Sequence, residues 1–122
     1  MALGQLASIY RYLGKPEQAE TVLYQIPPQK WDYIVYTELG RIKATEGQCE
    51  ASEASYKHAL KDRSERNYSR AILDLAVLYA LCFDDKEKSA HYFNRYNSFI
   101  LDPVEREHVR ELASEMGIKL DE

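Results

Sequence analysis

Three segments of the chain share one signature at a spacing that few folds accommodate. "LASIYRYLG" at 6–14, "LGRIKATEG" at 39–47 and "LAVLYALCF" at 75–83 each begin with leucine and a small residue, Ala7, Gly40 or Ala76. The leucines lie 33 and 36 residues apart. Twelve residues after the small position come Ala19 and Ser52, and thirteen after it Ser89; four beyond each stands a large side chain, Leu23, Tyr56 or Phe93. An offset of four is one turn of an α-helix, so each unit carries a small residue stacked under a large one. In "ASEASYKHAL", Ser52, Tyr56, Ala59 and Leu60 share such a face, with gaps for neighbouring helices and one ring as filler. Two short antiparallel helices bury too little surface alone, and a repeat of this length is stable when each pair stacks on the next.

Punctuation divides the chain into seven predicted helices. The first runs from about Ala2 to Leu13 and stops at Gly14; Pro16 opens the second, which runs to about Ile26, where "PPQK" ends it. The third covers about Lys30 to Glu46 before Gly47, the fourth Cys49 to Lys61, and the fifth Glu65 to Phe83. Asp84 with Glu87 three residues on reads as a capping box for the sixth, which ends near Leu101. Asp102 caps the seventh, Pro103 takes its first turn, Glu105 reaches back, and its stripe is Val109, Leu112, Ala113 and Met116. No segment favours a strand, and the fold class is all-α.

The middle unit, "YTELGRIKATEGQCEASEASYKHAL", resembles the tetratricopeptide repeat at Tyr36, Leu39, Gly40, Gly47, Ser52, Tyr56 and Ala59. Departures are Lys43 where the family has the tyrosine kept as Tyr10 and Tyr79, Phe83 in place of a turn glycine, and an extra residue in the third unit. The resemblance implies a right-handed α-solenoid in one domain, 1–122, with repeats at about 2–30, 31–64 and 65–101 and a capping helix at 102–118. It also implies that the first helix of each repeat lines a concave groove, with Ser8, Arg11 and Tyr12, then Thr37, Glu38, Arg41 and Ala44, then Arg70, Asp74, Val77 and Leu81 facing it. Family members that clamp a peptide's terminal carboxylate do so from positions that here read Gly4, Ser8, Glu38, Arg70 and Asp74, so that clamp is absent. The groove residues expected to bind a partner are Arg11, Tyr12, Thr37, Arg41, Arg70, Asp74, Val77 and Leu81.

Composition excludes several functions. A net charge of −4 argues against general nucleic-acid binding, which rests on clustered cations. The longest apolar run, 75–83, is half the length of a membrane span, and it reads more readily as a buried central helix than as an open groove. Nothing at the N-terminus reads as a secretory signal; the expected location is cytoplasmic, or periplasmic if a signal has been removed. Cys49 and Cys82 stand on separate helices without zinc or redox spacing and read as two buried thiols. His58, His91 and His108 lie on three helices with no phosphate loop, serine turn or metal cluster, so no catalytic residue, metal or cofactor is expected. The mixed-charge runs "SEMGIKLDE" and "KDRSER" read as solvated faces. Of the ten tyrosines, Tyr12, Tyr33, Tyr68 and Tyr96 are not accounted for by the repeat and are open to structural or binding roles.

The expected function is a non-enzymatic protein–protein interaction scaffold that takes a peptide or helix in its groove, a type common in bacterial secretion and pilus assembly. The alternative is an oligomerisation or regulatory segment of a larger protein or enzyme. Leu3, Leu6 and Tyr10 form one face of the first helix with no predicted cover, from which self-association through the N-terminal helices is expected.

Overall fold

The computed structural model describes residues 3–61 and 65–121, with the side chains of all of these except 65–69. The described residues form seven α-helices, α1 Leu3–Tyr12, α2 Pro16–Leu23, α3 Tyr33–Thr45, α4 Cys49–Ala59, α5 Glu65–Leu81, α6 Lys86–Ser98 and α7 Pro103–Glu115, and no strand. The fold is all-α. Residue 2, the expected start of α1, and the central part of "KDRSER" lie outside the described residues, as does the Tyr68 side chain.

Local chemistry explains the helix ends, including those that differ from expectation. Gly14 and Gly47 close α1 and α3 at φ near +75°, a conformation that costs glycine nothing. Pro16 starts α2. That helix ends at Leu23 rather than Ile26, because proline at 27 disfavours a helical residue before it; Gln25 and Ile26 close the end with bonds to Val22 and Leu23. Residues Pro28–Lys30 make a 3-10 turn, and Asp32 then caps α3 by accepting from the Val35 amide, which moves its start to Tyr33.

The expected cap of α6 shifts by one residue. With Phe83 in the turn, the left-handed position falls on Asp84, at φ 50°, so Asp85 becomes the cap and accepts from the Lys88 amide at 3.0 Å. Aspartate is among the few side chains that tolerate this region. Asp102 caps α7 through the Val104 amide, but Glu105 does not complete a capping box: it accepts from the Tyr96 hydroxyl instead.

The repeat signature becomes the packing. Ala7, Ala19 and Leu23 are fully buried between α1 and α2; Gly40, Ser52 and Tyr56 are buried between α3 and α4, and Ala76, Ser89 and Phe93 between α5 and α6. Ser52 and Ser89 each donate at 2.7 Å to the carbonyl of the small residue opposite, Gly40 and Ala76, so both buried hydroxyls are satisfied. Each hairpin then stacks on the next: α2 touches α3, α4 touches α5, and α7 covers α6. The helices α1, α3 and α5 touch in a row, whereas α2, α4 and α6 do not touch one another. The helices α1, α3 and α5 thus make up one row, here termed the inner row. Val109 and Ala113 of α7 are buried with Ala76 and Phe93; Leu112 and Met116 pack beside them, and Gly117 at φ 76° folds Ile118 back into the same cluster.

Leu3, Leu6 and Tyr10 do not form an open face: they are half-buried against the core shared by the first pair and α3. The exposed apolar side chains there are Ile9, Tyr12 and Leu13. No helix among the described residues is long and apolar enough to cross a membrane.

Candidate functional site

Among the described residues, the inner row lines two clefts. The first, about 180 Å³, lies between the N-terminal halves of α1 and α3 and the start of α5, lined by Ser8, Tyr33, Ile34, Thr37, Glu38, Arg41 and Arg70, with Gly4 and Gln5 at its rim. The second, about 320 Å³, lies toward the C-terminal ends of α3 and α5, lined by Ala44, Tyr56, Asp74, Val77, Leu78, Leu81 and Cys82. Both are at or below the small end of pockets for organic ligands, a size that suits single side chains better than a cofactor.

Between the helices of this row, acids and arginines neutralise one another. Glu38 and Asp74 each stand two residues before the small residue of their helix, and each meets an arginine of the preceding first helix. Arg11 Nε reaches Glu38 at 2.5 Å and its second nitrogen reaches the other carboxylate oxygen at 3.4 Å; Arg41 Nε reaches Asp74 at 2.9 Å. Glu38 is only 5% exposed, so the forked contact supplies the compensation a buried carboxylate requires. Burial opposes the Arg11 charge, but the hydrogen bond and charge of Glu38 outweigh it and hold the guanidinium's pKa above its ordinary value. For Asp74 burial dominates, and the carboxyl is held above its usual range in spite of Arg41.

The eight residues expected to contact a partner therefore separate by environment. Arg11, Arg41 and Asp74 are tied up in ion pairs within the fold. Thr37 is buried and its hydroxyl donates to the Tyr33 carbonyl at 2.6 Å. Val77 is half-buried against the α5–α7 core. Arg70, Tyr12 and Leu81 are exposed, the last two at 80% and 71%. Arg70 has no ion-pair or hydrogen-bond partner among the described residues. The Arg11 guanidinium lies over the Tyr12 ring at 4.8 Å, away from the clefts' linings. Both clefts draw on α3 and α5, so Arg70 and Leu81 belong to one continuous face, with the Arg41–Asp74 pair between them.

The remaining tyrosines divide between the two roles. Tyr33 lines the first cleft, whereas Tyr96 packs on the α5–α7 core with its hydroxyl toward Glu105, where burial raises its pKa with help from that carboxylate. The apolar run of α5 is buried at Leu75, Ala76, Leu78 and Tyr79 and opens only at its end, at Leu81. Ile34 is 52% exposed in the first cleft and was not singled out from the sequence. Its offsets of three, four and seven from Thr37, Glu38 and Arg41 put it on their face, which is the signal that finds it.

Cys49 and Cys82 are not separate buried thiols. They form a disulfide with Cα atoms 6.0 Å apart, and both are half-buried. Neighbouring antiparallel helices bring the first residue of α4 beside the residue that follows α5, a juxtaposition that no short-range cysteine spacing records.

Histidines are dispersed: His58 stacks on Tyr36 at 3.9 Å, His91 sits edge-on to Tyr92, and His108 is exposed. Among the described residues no three His, Cys, Asp or Glu side chains gather as a metal site. No family model, no curated protein and no solved structure matches the chain at a significant level.

Proposed function

We propose that the chain is a non-enzymatic scaffold of tetratricopeptide type whose inner row captures a segment of a partner protein, with an acidic side chain at Arg70 and a bulky apolar side chain at Leu81. The observation that carries this reading is the contrast within the row: Glu38 and Asp74 already have arginine partners, while Arg70 stands exposed beside Ile34 and the second cleft offers Leu81, Val77 and Ala44. An exposed guanidinium favours carboxylate, and exposed apolar side chains in a cleft favour an apolar anchor.

Arg70 and the pair Val77 and Leu81 are seven to eleven residues apart on α5, or about 10–16 Å at the helical rise. An extended peptide covers that span in about three to five residues. Selection from a library of random displayed peptides tests the reading. Enriched sequences should pair an aspartate or glutamate with a large apolar residue at that spacing, and Arg70→Glu and Leu81→Asp should each weaken them by about tenfold or more without altering the helical circular dichroism. Enrichment that is indifferent to both substitutions overturns it.

One observation favours the alternative, an oligomerisation or regulatory segment. Leu101 and Val104, on the α6–α7 turn and the start of α7, are 92% and 62% exposed, and apolar side chains left so open commonly meet another surface.

A further inference from the structure

We propose that the Cys49–Cys82 bond is a reversible dithiol–disulfide site, through which thiol reagents control the order of the C-terminal end of α5 and, with it, the wall of the second cleft. The inference stands on the bond's place in the fold and does not depend on what the groove captures.

Three observations carry it. The bond joins the start of α4 to the residue after α5, so it spans the joint between the second and third helix pairs, and its sequence separation is 33 residues. Cys82 is half-buried and lines the second cleft beside the exposed Leu81, so the cleft is the side from which a small thiol would approach the bond. The bond also sits next to the one interhelical turn within a pair that lacks glycine. Gly14 and Gly47 take the left-handed position in the first two pairs, whereas Asp84 takes it in the third. A non-glycine residue adopts this conformation at a cost, and the surrounding structure must hold it there. Here the Asp85 amide bonds the Tyr79 carbonyl, the Cys82 amide bonds the Leu78 carbonyl, and the disulfide ties the same stretch to α4.

Reduction leaves the joint other contacts. Tyr56, Leu75, Leu78 and Tyr79 form a buried cluster between α4 and α5, and the Tyr79 hydroxyl donates to the Glu53 carboxylate. The reduced chain therefore keeps its helices but loses the covalent tie at 82, and the stretch from Val77 through Asp85 opens more often. The exchange balances with ordinary thiols: two reduced glutathione molecules supply two electrons and two protons, the S–S bond gives Cys49 and Cys82 thiols through a mixed disulfide, and oxidised glutathione is the product. The reverse reaction restores the bond.

The test combines thiol counting with hydrogen exchange on the whole chain in buffers poised by reduced and oxidised glutathione. The free-thiol count should move between none and two as the poise changes. In the reduced protein, amides at 77–85 should accelerate about tenfold more than those at 3–26, since local openings add to whatever stability the whole chain loses. Cys82→Ser should show the fast pattern at every poise; should it fail to fold, the reduced wild type gives the same reading. A thiol count fixed at either value across the range, or exchange that rises nowhere or rises equally throughout the chain, overturns the proposal.

Discussion

The joint between the first and second helix pairs and the joint between the second and third have the same layout and different chemistry. In both, a glutamate of the preceding second helix meets a side chain four or five residues before the left-handed turn position. At the first joint Glu20 of α2 holds Lys43 of α3 at 2.6 Å, and Glu46 adds a weaker contact at 4.0 Å. The hydrogen bond that Lys43 donates to Glu20 outweighs burial and keeps the Lys43 pKa above its ordinary value. At the second joint Glu53, 33 residues after Glu20, accepts from the Tyr79 hydroxyl, and the disulfide is added. Burial, with the Glu53 hydrogen bond second, raises the Tyr79 pKa further, so that hydroxyl remains a donor throughout the physiological range. Around the second helices the first joint is thus ionic, while the second has a neutral donor on Glu53 and a covalent tie; along α1, α3 and α5 both joints carry an arginine–carboxylate pair. Stacking geometry alone does not dictate the chemistry of a joint; it dictates only where a compensating pair must stand.

The largest expected effect comes from breaking the covalent difference. Removing the Cys49–Cys82 bond opens a loop with a sequence separation of 33, and loop-closure entropy puts the loss at about 3–4 kcal/mol. Denaturant melts with and without reductant measure it, and a loss below about 1 kcal/mol would show that the second joint depends little on the bond.

A smaller effect comes from moving Tyr56, whose ring belongs to the second joint's cluster yet rests on Gly40. A β-carbon at position 40 falls 2.5 Å from two of its ring carbons, and the ring is held by burial on its other side. Gly40→Ala should destabilise by about 1–3 kcal/mol despite alanine's better helix propensity. The control is Gly4→Ala, where the nearest atom, in Ile34, is 4.0 Å away, so thermal stability there should be unchanged or higher. Equal effects at the two glycines would sink the packing argument.

The smallest change tests the ionic half. Lys43→Tyr gives the first joint the residue type that the second has at Tyr79, facing Glu20 in place of Glu53. The variant's stability should stay within about 1 kcal/mol of the parent, while the salt dependence contributed by the Glu20–Lys43 pair disappears. Melting temperatures across a series of salt concentrations read both quantities, and a salt dependence identical to the parent's counts against an energetic role for the pair.

Periodicity and punctuation determined the seven helices and the three small-over-large stripes at Ala19/Leu23, Ser52/Tyr56 and Ser89/Phe93, whereas the lining of the clefts by first helices was an expectation from the repeat resemblance. The helices and stripes follow from the sequence because helical period and repeat spacing are local or regular, and a stripe of that width has only stacking to bury it. The shift of the α6 cap to Asp85 was within reach of the same reasoning, had Phe83 in a glycine's place been followed to its consequence for the next residue. What tertiary structure alone decided is which side chains 27 to 33 positions apart meet. It paired Arg11 with Glu38 and Arg41 with Asp74, and so left Arg70 exposed in the cleft; it buried Thr37, folded Leu3, Leu6 and Tyr10 into the core, and brought Cys49 to Cys82. None of these has a sequence signal of its own, because each depends on the angle and offset at which one helix pair settles on the next.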